Sequence, residues 1–459
     1  MTTMTPEQQH LEQIFAAALE RVDPYRIITN RMSLDGEILT VADDKGDVSL
    51  DLCEFDRIVV IGAGKATAKM ARAVEDILGD RIESGLISVK YGHTEKLRRV
   101  RIIEAAHPVP DENGVRAARE IEELACSATD RTLVINLISG GGSALLPCPM
   151  HAEVDGKKIE VTLEDKQNMT RALLACGADI SEINCIRKHL SNLKGGRLLR
   201  CLRPARSLNL ILSDVVGDNL DTIASGMTSP DRSTYCDAVS IIDSYNIRDK
   251  VPAHVFRVLE LGRDGKLLET LKQDEFSEVR ADNILIGTNR IALMGAKSKA
   301  EELGYNVRVL TSRLQGEAAD AADFYWAIAQ DEREWELLEK KPACIIAGGE
   351  TVVTIKGKGK GGRNQEMALQ FLKKLGQDGQ NGEGIHFLAA STDGNDGPTD
   401  AAGGFADATV LEISRQKGLS IAEYLKNNDS YHFLQMVGAL HKTGPTNTNV
   451  CDVQLLIVK

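Results

Sequence analysis

The sequence predicts an α/β protein of two domains, with a mostly parallel sheet covered by helices on both faces. Two observations support this fold class. Runs of β-branched and other apolar residues recur along the chain, and glycine-rich turns and stretches of helical periodicity follow them. Strands that alternate with helices are typical of parallel sheets, in which ligands bind at the carboxyl ends of the strands.

The first strand, turn and helix are predicted within residues 57–78. Ile58–Ile61 is a buried apolar run, and after a glycine turn Lys65–Leu78 has the periodicity of an amphipathic helix. Another amphipathic helix is expected after Pro6. The other predicted strands, in chain order, are Gly85–Val89, Arg101–Ala105, Thr132–Ile138, Ser207–Leu212, Asn283–Gly287, Val307–Leu310, Ile385–Ala390 and Val453–Val458.

A charged segment at 248–279 separates the chain into two halves. After it, the alternation of strand and helix starts again at ADNILIGTNRIALMG. We therefore expect a Rossmann-like N-terminal domain over residues 1–250 and a smaller α/β domain over residues 275–459.

The composition argues against some classes of binding partner. Hydrophobic residues make up 42% of the chain and charged residues 27%, and the net charge is -12. An acidic chain with few aromatic residues is a poor candidate for binding nucleic acid or an anionic membrane. Nine cysteines without a C-x-x-C pair indicate free thiols in a reducing compartment. We expect a cytoplasmic protein that binds small molecules.

The turn Gly62–Lys65 (GAGK) begins like a dinucleotide-binding fingerprint but does not complete it. Thr67 stands where G-x-G-x-x-G requires its third glycine, and Lys90 stands where an acidic residue would bind the ribose. A lysine at a helix N-terminus is electrostatically unfavourable unless an anion compensates it. We predict that Lys65 binds a phosphate or carboxylate; the alternative is a surface lysine.

The second glycine cluster is Gly140, Gly141 and Gly142, which follow the run at 132–138. Three glycines remove every side chain from the approach of a ligand, and Ser143 would bind a ligand oxygen. A plain helix cap is the alternative for Ser143. No Walker motif and no G-x-S-x-G hydrolase motif occur in the chain.

A cationic stretch, INCIRKHLSNLKGGRLL, follows at 183–199. Arg187 or Lys194 could clamp a carboxylate. Arg187 and Lys188 are adjacent on a helix, so we expect at least one of them to face solvent. His189 is as consistent with packing in the helix as with a functional role.

Acidic residues follow two predicted strands. Asp214 and Asp218 come after the run at 207–212, and Asp393, Asn395 and Asp396 lie in the loop LAASTDGNDGPTDAAGG. Carboxylates at strand ends suit magnesium or general-base catalysis, and turn formation is the alternative. The second loop does not keep the register of an EF-hand, so a site for metal-bound phosphate is the simpler interpretation.

The segment IKGKGKGGRNQE at 355–366 combines glycines, lysines and Arg363. Cys344–Ile355 predicts two short strands before it, and Asn364 is the expected cap of a helix after it. Glycine amides, a helix N-terminus and cations all favour an anion, most simply phosphate. A mobile, solvated hairpin is the alternative.

Eight segments taken together resemble the class II glycerate kinases, whose C-terminal part is called the MOFRL domain. The segments are GAGKA, HPVPD, LISGGGSAL, NCIRKHLSNLKGGRL, SDVVGDNLDTIASG, GGETVVTIKGKGKGGRNQE, STDGNDGPTDAAGG and TGPTNTNV. They span nearly the whole chain in the order of the family. Met227, Val352 and Asn447 depart from the residues that are common there, and none of these changes removes a charged group.

The resemblance implies transfer of a phosphoryl group from ATP, with Mg²⁺, to the 2-hydroxyl of D-glycerate. It also implies that Lys65 is the catalytic lysine and Arg363 the catalytic arginine. A homodimer is left open. Two alternatives remain: an NAD(P)H-dependent hydroxypyruvate reductase, against which the incomplete fingerprint speaks, and an anion-binding protein without catalysis.

The needs of phosphoryl transfer lead to a hypothesis for the other residues. Catalytic roles fall to Lys65, Arg363, Asp214 and Asp393, with one aspartate as proton acceptor. The residues expected to bind ATP are Gly140, Gly141, Gly142, Ser143, Gly359, Gly361, Gly362 and Asn364. The residues expected to bind glycerate are Lys65, Ser143, Arg187, Lys194 and Arg363. The residues expected to bind magnesium are Asp214, Asp393 and Asp396.

Overall fold

The computed structural model describes residues 4–379 and 382–459 and divides the chain into two compact units. The N-terminal unit contains Pro24–Ser213 and Asp218–Ile286. The C-terminal unit contains the residues up to Asp23, the short stretch Asp214–Gly217, and Gly287–Lys459. The domain limits 1–250 and 275–459 stay a prediction.

The bounds of the regular elements are as follows. The strands are β1 Met32–Asp35, β2 Ile38–Val41, β3 Val48–Asp51, β4 Arg57–Ala63, β5 Ile82–Lys90, β6 Val100–Ala105, β7 Thr132–Ile138, β8 His151–Val154, β9 Lys157–Glu160, β10 Arg206–Leu212, β11 Ala281–Gly287, β12 Asn306–Leu314, β13 Ala343–Gly349, β14 Ile385–Ser391, β15 Gly403–Asp407, β16 Leu440–His441 and β17 Asp452–Val458. The α-helices are α1 Pro6–Arg21, α2 Pro24–Arg31, α3 Thr67–Leu78, α4 Glu112–Cys126, α5 Gly142–Leu145, α6 Leu163–Cys176, α7 Ile180–His189, α8 Arg197–Leu202, α9 Tyr235–Ser244, α10 Ala253–Arg263, α11 Gln273–Phe276, α12 Asn289–Glu302, α13 Ala318–Trp335, α14 Arg363–Leu375, α15 Ala408–Gln416, α16 Ile421–Lys426 and α17 Ser430–Val437.

The sheet of the N-terminal unit confirms the predicted fold class. Its strand order is β11-β10-β7-β4-β5-β6, and the pairings from β10 to β6 are parallel. β7 is buried along its whole length, as a strand covered on both faces must be. The small sheet β1-β2-β3 and the hairpin β8-β9 were not predicted from the sequence.

The sheet of the C-terminal unit is mixed, so a mostly parallel sheet is found in the N-terminal unit alone. Its order is β12-β13-β17-β14-β15-β16, and only β12 and β13 pair in parallel. The last strand of the chain, β17, lies between β13 and β14 and runs antiparallel to both. No helix in the described part of the chain is long and apolar enough to span a bilayer.

Two local predictions need correction. β13 ends at Gly349, and the expected second strand is reduced to a single bridge between Val352 and Glu317, because the chain beyond Gly349 leaves the sheet. The helix predicted from Lys65 begins at Thr67, because Ala66 is its N-cap and supplies the first carbonyl acceptor, to the Met70 amide.

The predicted N-terminal helix is α1, and it belongs to the C-terminal unit. It packs against α12 with an apolar face that includes Leu11, Ile14 and Phe15. A Cβ built on Gly295 of α12 would lie 2.8 Å from the carbonyl oxygen of Ala17, so a larger residue would push the two helices apart. The helix pair closes one side of this unit's core.

Candidate active site

Two glycine-rich loops are joined at the carboxyl edge of the N-terminal sheet. They follow β4 and β7, which are parallel neighbours. The Lys65 amide donates to the carbonyl oxygen of Gly140 at 2.9 Å, and the Ala66 amide donates to Oγ of Ser139 at 3.1 Å. The loop that carries Lys65 and the loop predicted to bind phosphates therefore form one surface.

The side chain of Lys65 runs beside Gly141. A Cβ built on Gly141 would lie 3.6 Å from Cγ of Lys65. Gly141 has a φ of +85°, a conformation that L side chains rarely adopt. The loop therefore requires glycine at this position, and the stem of a lysine side chain lies next to it.

Ser143 forms a polar cluster with Lys194 and Ser225. Nζ of Lys194 donates to the carbonyl oxygen of Ser143 at 2.6 Å and to its Oγ at 2.8 Å, and the hydroxyls of Ser143 and Ser225 are 2.8 Å apart. Burial lowers the pKa of Lys194 well below its usual value, and the charges of Lys166 and Arg187 lower it further. The structure therefore places Ser143 and Lys194 in direct contact.

The helix α7 carries Arg187, Lys188 and His189, and none of the three is exposed. The expectation that one cation faces solvent is wrong, because Lys188 is buried in an ion pair with Asp231 at 3.1 Å and Arg187 is partly buried. Burial lowers the pKa of Arg187. His189 packs in the core, with Nδ1 bonded to the Cys185 carbonyl and Nε2 to Glu269.

Arg363 is the first residue of α14 and is held by two carboxylates. Its Nε donates to Oδ2 of Asp452 at 2.6 Å and its Nη2 to Oδ1 at 2.9 Å, while Nη1 lies 2.9 Å from Oε1 of Glu350. Burial alone would lower the pKa of Arg363, but Asp452 and Glu350 raise it above its usual value. The guanidinium plane is therefore fixed.

The glycine-rich segment before Arg363 is bonded to residues 427–429. The amides of Lys356 and Gly357 donate to Oδ1 of Asn428 at 2.7 and 2.9 Å. The amides of Lys358, Gly359 and Lys360 donate to Asn427 and Asp429. Side chains at Gly357, Gly359 or Gly361 would collide with 427–430. The glycines thus allow close packing of two chain segments, and these five amides do not turn toward a ligand.

The N-terminus of α14 is capped by a carboxylate. Gly362 is the N-cap, and Asn364, the predicted cap, lies inside the helix. Oδ2 of Asp396 accepts from the Gln365 amide at 2.8 Å and Oδ1 accepts from the Asn364 amide at 3.2 Å. Burial raises the pKa of Asp396 to about 6, and these amides oppose the rise. Asp396 occupies the place in which an anion was expected.

Asp214 and Asp393 lie within electrostatic range of Glu350, the carboxylate paired with Arg363. Burial raises the pKa of Glu350, and the charges of Asp452, Asp214 and Asp393 raise it further, against the effect of Arg363. The Asp393 carboxylate accepts hydrogen bonds from Ser391 and the Asn395 amide. Within residues 4–379 and 382–459, no three His, Cys, Asp or Glu side chains are arranged to hold a metal by themselves.

Sequence reasoning missed Asp452, Glu350 and Lys166. Asp452 had a usable signal, because a carboxylate at the start of the apolar run DVQLLIV must find a partner once buried. Lys166 is buried on α6, donates to the Leu190 carbonyl at 2.8 Å, and has its pKa lowered to about 7 by burial. No local pattern points to Lys166 or Glu350.

Two family models match the chain. The model described as "Domain of unknown function (DUF4147)" covers residues 10–260, more than half of the chain, and the model described as "MOFRL family" covers residues 343–452. The crystal structure of glycerate kinase from Thermotoga maritima superposes with a TM-score of 0.84 at 39% identity, over 99% of this chain and 100% of that one.

Curated relatives cover nearly the full length. "Glycerate 2-kinase" of Pyrococcus horikoshii is 41% identical over 97% of this chain and 96% of its own length. "D-glycerate 2-kinase" of Thermotoga maritima is 42% identical, with coverages of 88% and 91%. A relative from Agrobacterium vitis, 38% identical over 98% and 94%, has a name that assigns it provisionally to the hydroxypyruvate reductases. The chain belongs to the glycerate kinase family whose members carry a C-terminal MOFRL domain.

Proposed function

We propose that the chain transfers the γ-phosphoryl group of ATP to the 2-hydroxyl of D-glycerate and releases 2-phosphoglycerate. Membership of the family and the names of the archaeal and bacterial relatives support this reaction. The structural observation that carries it is the bonded pair of loops, Lys65 with Gly140, at the carboxyl edge of a parallel sheet. That edge is where such sheets bind phosphorylated ligands.

In the proposal, ATP phosphates bind at Gly140–Gly142 and at the lysine-rich segment before Arg363. The first loop offers a backbone without side chains. The proposal keeps four residues of this segment in the ATP site, but for a different reason from the one the sequence suggested. They are Gly359, Gly361, Gly362 and Asn364. The glycines shape the segment, while the exposed Lys356 and Lys358 supply charge, since most of the nearby amides are already bonded to 427–429.

The glycerate carboxylate is assigned to Ser143, Arg187 and Lys194. The hydrogen bonds from Lys194 to Ser143 support a shared site, and the lowered pKa values of Lys194 and Arg187 reflect burial and, for Lys194, other cations nearby. A bound carboxylate would relieve that repulsion. We therefore expect glycerate binding to favour the protonated form of Lys194.

Magnesium is assigned to Asp214 and Asp393. Several carboxylates share the neighbourhood of Arg363, and carboxylate oxygens are the donors that Mg²⁺ prefers. Mg²⁺ commonly uses one or two carboxylates together with substrate phosphates and water, so a complete protein cage is not required. When bound, the ion would neutralise phosphate charge. Asp396 is the weakest of the three proposed ligands, because its oxygens cap α14.

Lys65 and Arg363 are proposed to stabilise charge on the phosphoryl group during transfer. Little covalent chemistry is needed from the protein in such a reaction, so position and charge dominate. The hydroxyl oxygen of glycerate bonds to phosphorus, the bond from phosphorus to the ADP oxygen breaks, and ADP keeps the electron pair. Asp214 or Asp393 is proposed to take the hydroxyl proton.

The experiment that tests the reaction is phosphorus NMR of the protein with magnesium, ATP and D-glycerate. We expect a phosphomonoester signal that matches 2-phosphoglycerate and is absent without glycerate. Appearance of only the 3-isomer would keep the kinase and reverse the placing of glycerate. Oxidation of NAD(P)H by hydroxypyruvate, without any phosphomonoester, would favour the reductase, and ligand binding without turnover would favour a sensor.

A homodimer in the cytoplasm is proposed as the form in the cell. β12 is an edge strand, and exposed apolar side chains occur nearby at Phe324, Trp335 and Leu337. An open strand edge beside apolar surface suits pairing with a second copy of the chain. Light scattering of wild type and of Phe324→Lys would test this. A monomeric mass for wild type, or a dimeric mass that is the same in the variant, would contradict it.

A further inference from the structure

Two histidines from successive loops converge on the Lys65 loop. His93 follows β5, and its Nδ1 lies 3.1 Å from the carbonyl oxygen of Lys65. His107 follows β6, and its ring lies against Gly141. Both loops leave the carboxyl ends of their strands, so both imidazoles stand on the edge proposed to bind substrates.

The contact between His107 and Gly141 joins two loops whose strands lie far apart in the sheet. β6 is at the edge of the sheet, and two strands, β5 and β4, separate it from β7, which leads into Gly141. With about 4.8 Å between adjacent strands, β6 and β7 lie roughly 14 Å apart. The β6–α4 loop and the glycine loop together bridge that distance and bring an imidazole to a glycine.

The edge of the His107 ring that carries Cδ2 and Nε2 lies against the glycine loop. A Cβ built on Gly141 would lie 2.9 Å from Cδ2 and 3.1 Å from Nε2 of His107, and 3.6 Å from Cγ of Lys65. One point of the backbone is thus flanked by an imidazole and by the stem of a lysine.

We propose that His107 is a further phosphate-binding residue, which donates from Nε2 to an oxygen of the ATP phosphates held at Gly140–Gly142. The inference rests on the proposed function for the identity of the nucleotide. A hydrogen bond to a charged acceptor is stronger than one between neutral groups, so His107 contributes to ATP affinity alongside Lys65.

The test is calorimetric titration of the full-length protein with ATP and magnesium, in the absence of glycerate. We expect His107→Ala to weaken ATP binding by about tenfold to 100-fold. His107→Gln places an amide donor near the position of Nε2 and should recover most of the affinity, whereas the shorter His107→Asn should not. His151→Asn, at a half-exposed histidine of β8, is the matched control and should bind like wild type.

Three outcomes of this titration decide the role of His107. ATP affinity within twofold of wild type in His107→Ala would overturn the phosphate contact. Equal losses in the Ala and Gln variants, together with a lower melting temperature in both, would assign His107 a structural role and also overturn it. If wild type binds ATP but makes no phosphoglycerate, the proposed function fails, and weakened ATP binding by His107→Ala would still support the phosphate contact.

Discussion

The Asp452 carboxylate holds the Arg363 guanidinium by two hydrogen bonds, 2.6 Å from Nε to Oδ2 and 2.9 Å from Nη2 to Oδ1. Asp452 is completely buried at the start of the central strand β17, and Arg363 starts α14. The pair therefore connects the centre of a sheet to the first turn of a helix. A fork of this geometry fixes the direction in which the remaining N–H groups of Arg363 point.

Asp452→Asn should lower kcat for phosphorylation of glycerate by about 100-fold, because small displacements of a catalytic group have large effects on rate. Removing one charge from a buried pair should also destabilise the protein, by about 3 kcal/mol. Steady-state kinetics and urea unfolding measure the two effects. Asp400→Asn, at an exposed ion pair with Lys442, is the control. Wild-type kcat in Asp452→Asn would refute a positioning role.

Arg363→Lys should reduce kcat nearly as much as Arg363→Ala. A lysine keeps the charge but cannot reproduce the two-point bond to Asp452 while it also contacts Glu350. Initial rates of ADP formation with D-glycerate would measure this. A loss of less than about threefold in the lysine variant would show that charge alone is sufficient, contrary to the proposed role of the guanidinium.

Asn428→Ala should loosen the glycine-rich segment, because two amides, those of Lys356 and Gly357, lose their acceptor. The expected cost is about 1–2 kcal/mol. Limited trypsin digestion provides the readout, since Lys356 and Lys358 lie within the segment. We expect faster cleavage there in the variant, while Gln416→Ala, an exposed residue of α15, should match wild type. Identical cleavage rates would argue against this role of Asn428.

Stability should fall in acid as Glu269 becomes protonated. Burial would raise the pKa of Glu269, but hydrogen bonds from His189 and the Tyr235 amide lower it from 4.5 to about 2. A carboxyl with a lowered pKa stabilises the fold above its unfolded pKa and loses that contribution as the pH falls from about 4.5 to about 2. Urea unfolding across this range should show the decline. Glu269→Gln should show a weaker dependence on pH, and equal slopes would contradict the assignment.

The elements that were predicted well are those that a local sequence pattern defines. The strand that leads into Gly62–Lys65 and the strand that leads into Gly140–Gly142 are both short apolar runs ended by glycine, and the parallel sheet made their loops neighbours. The mixed C-terminal sheet was not predictable in this way, because nothing local places β17 between β13 and β14.

The local predictions that were wrong concern residues whose contacts lie far away in the sequence. The amides of the glycine-rich segment were predicted to turn toward a phosphate, yet those of residues 356–360 bond to residues about 70 positions later. The helix cap was assigned to Asn364 and is supplied by Asp396 instead. Glycine permits close approach, but the sequence does not say whether a ligand or another part of the chain approaches. The roles of the individual site residues stay predictions.

The position of α1 has a consequence for synthesis of the chain. It leaves the ribosome well before its partner α12, which begins only at Asn289. At roughly 5–20 residues per second, the apolar face of α1 waits on the order of ten seconds to a minute for that partner. During this interval the nascent chain presents an unburied amphipathic helix. We expect holding chaperones to bind this helix, and stalling of translation before α12 to lengthen its exposure.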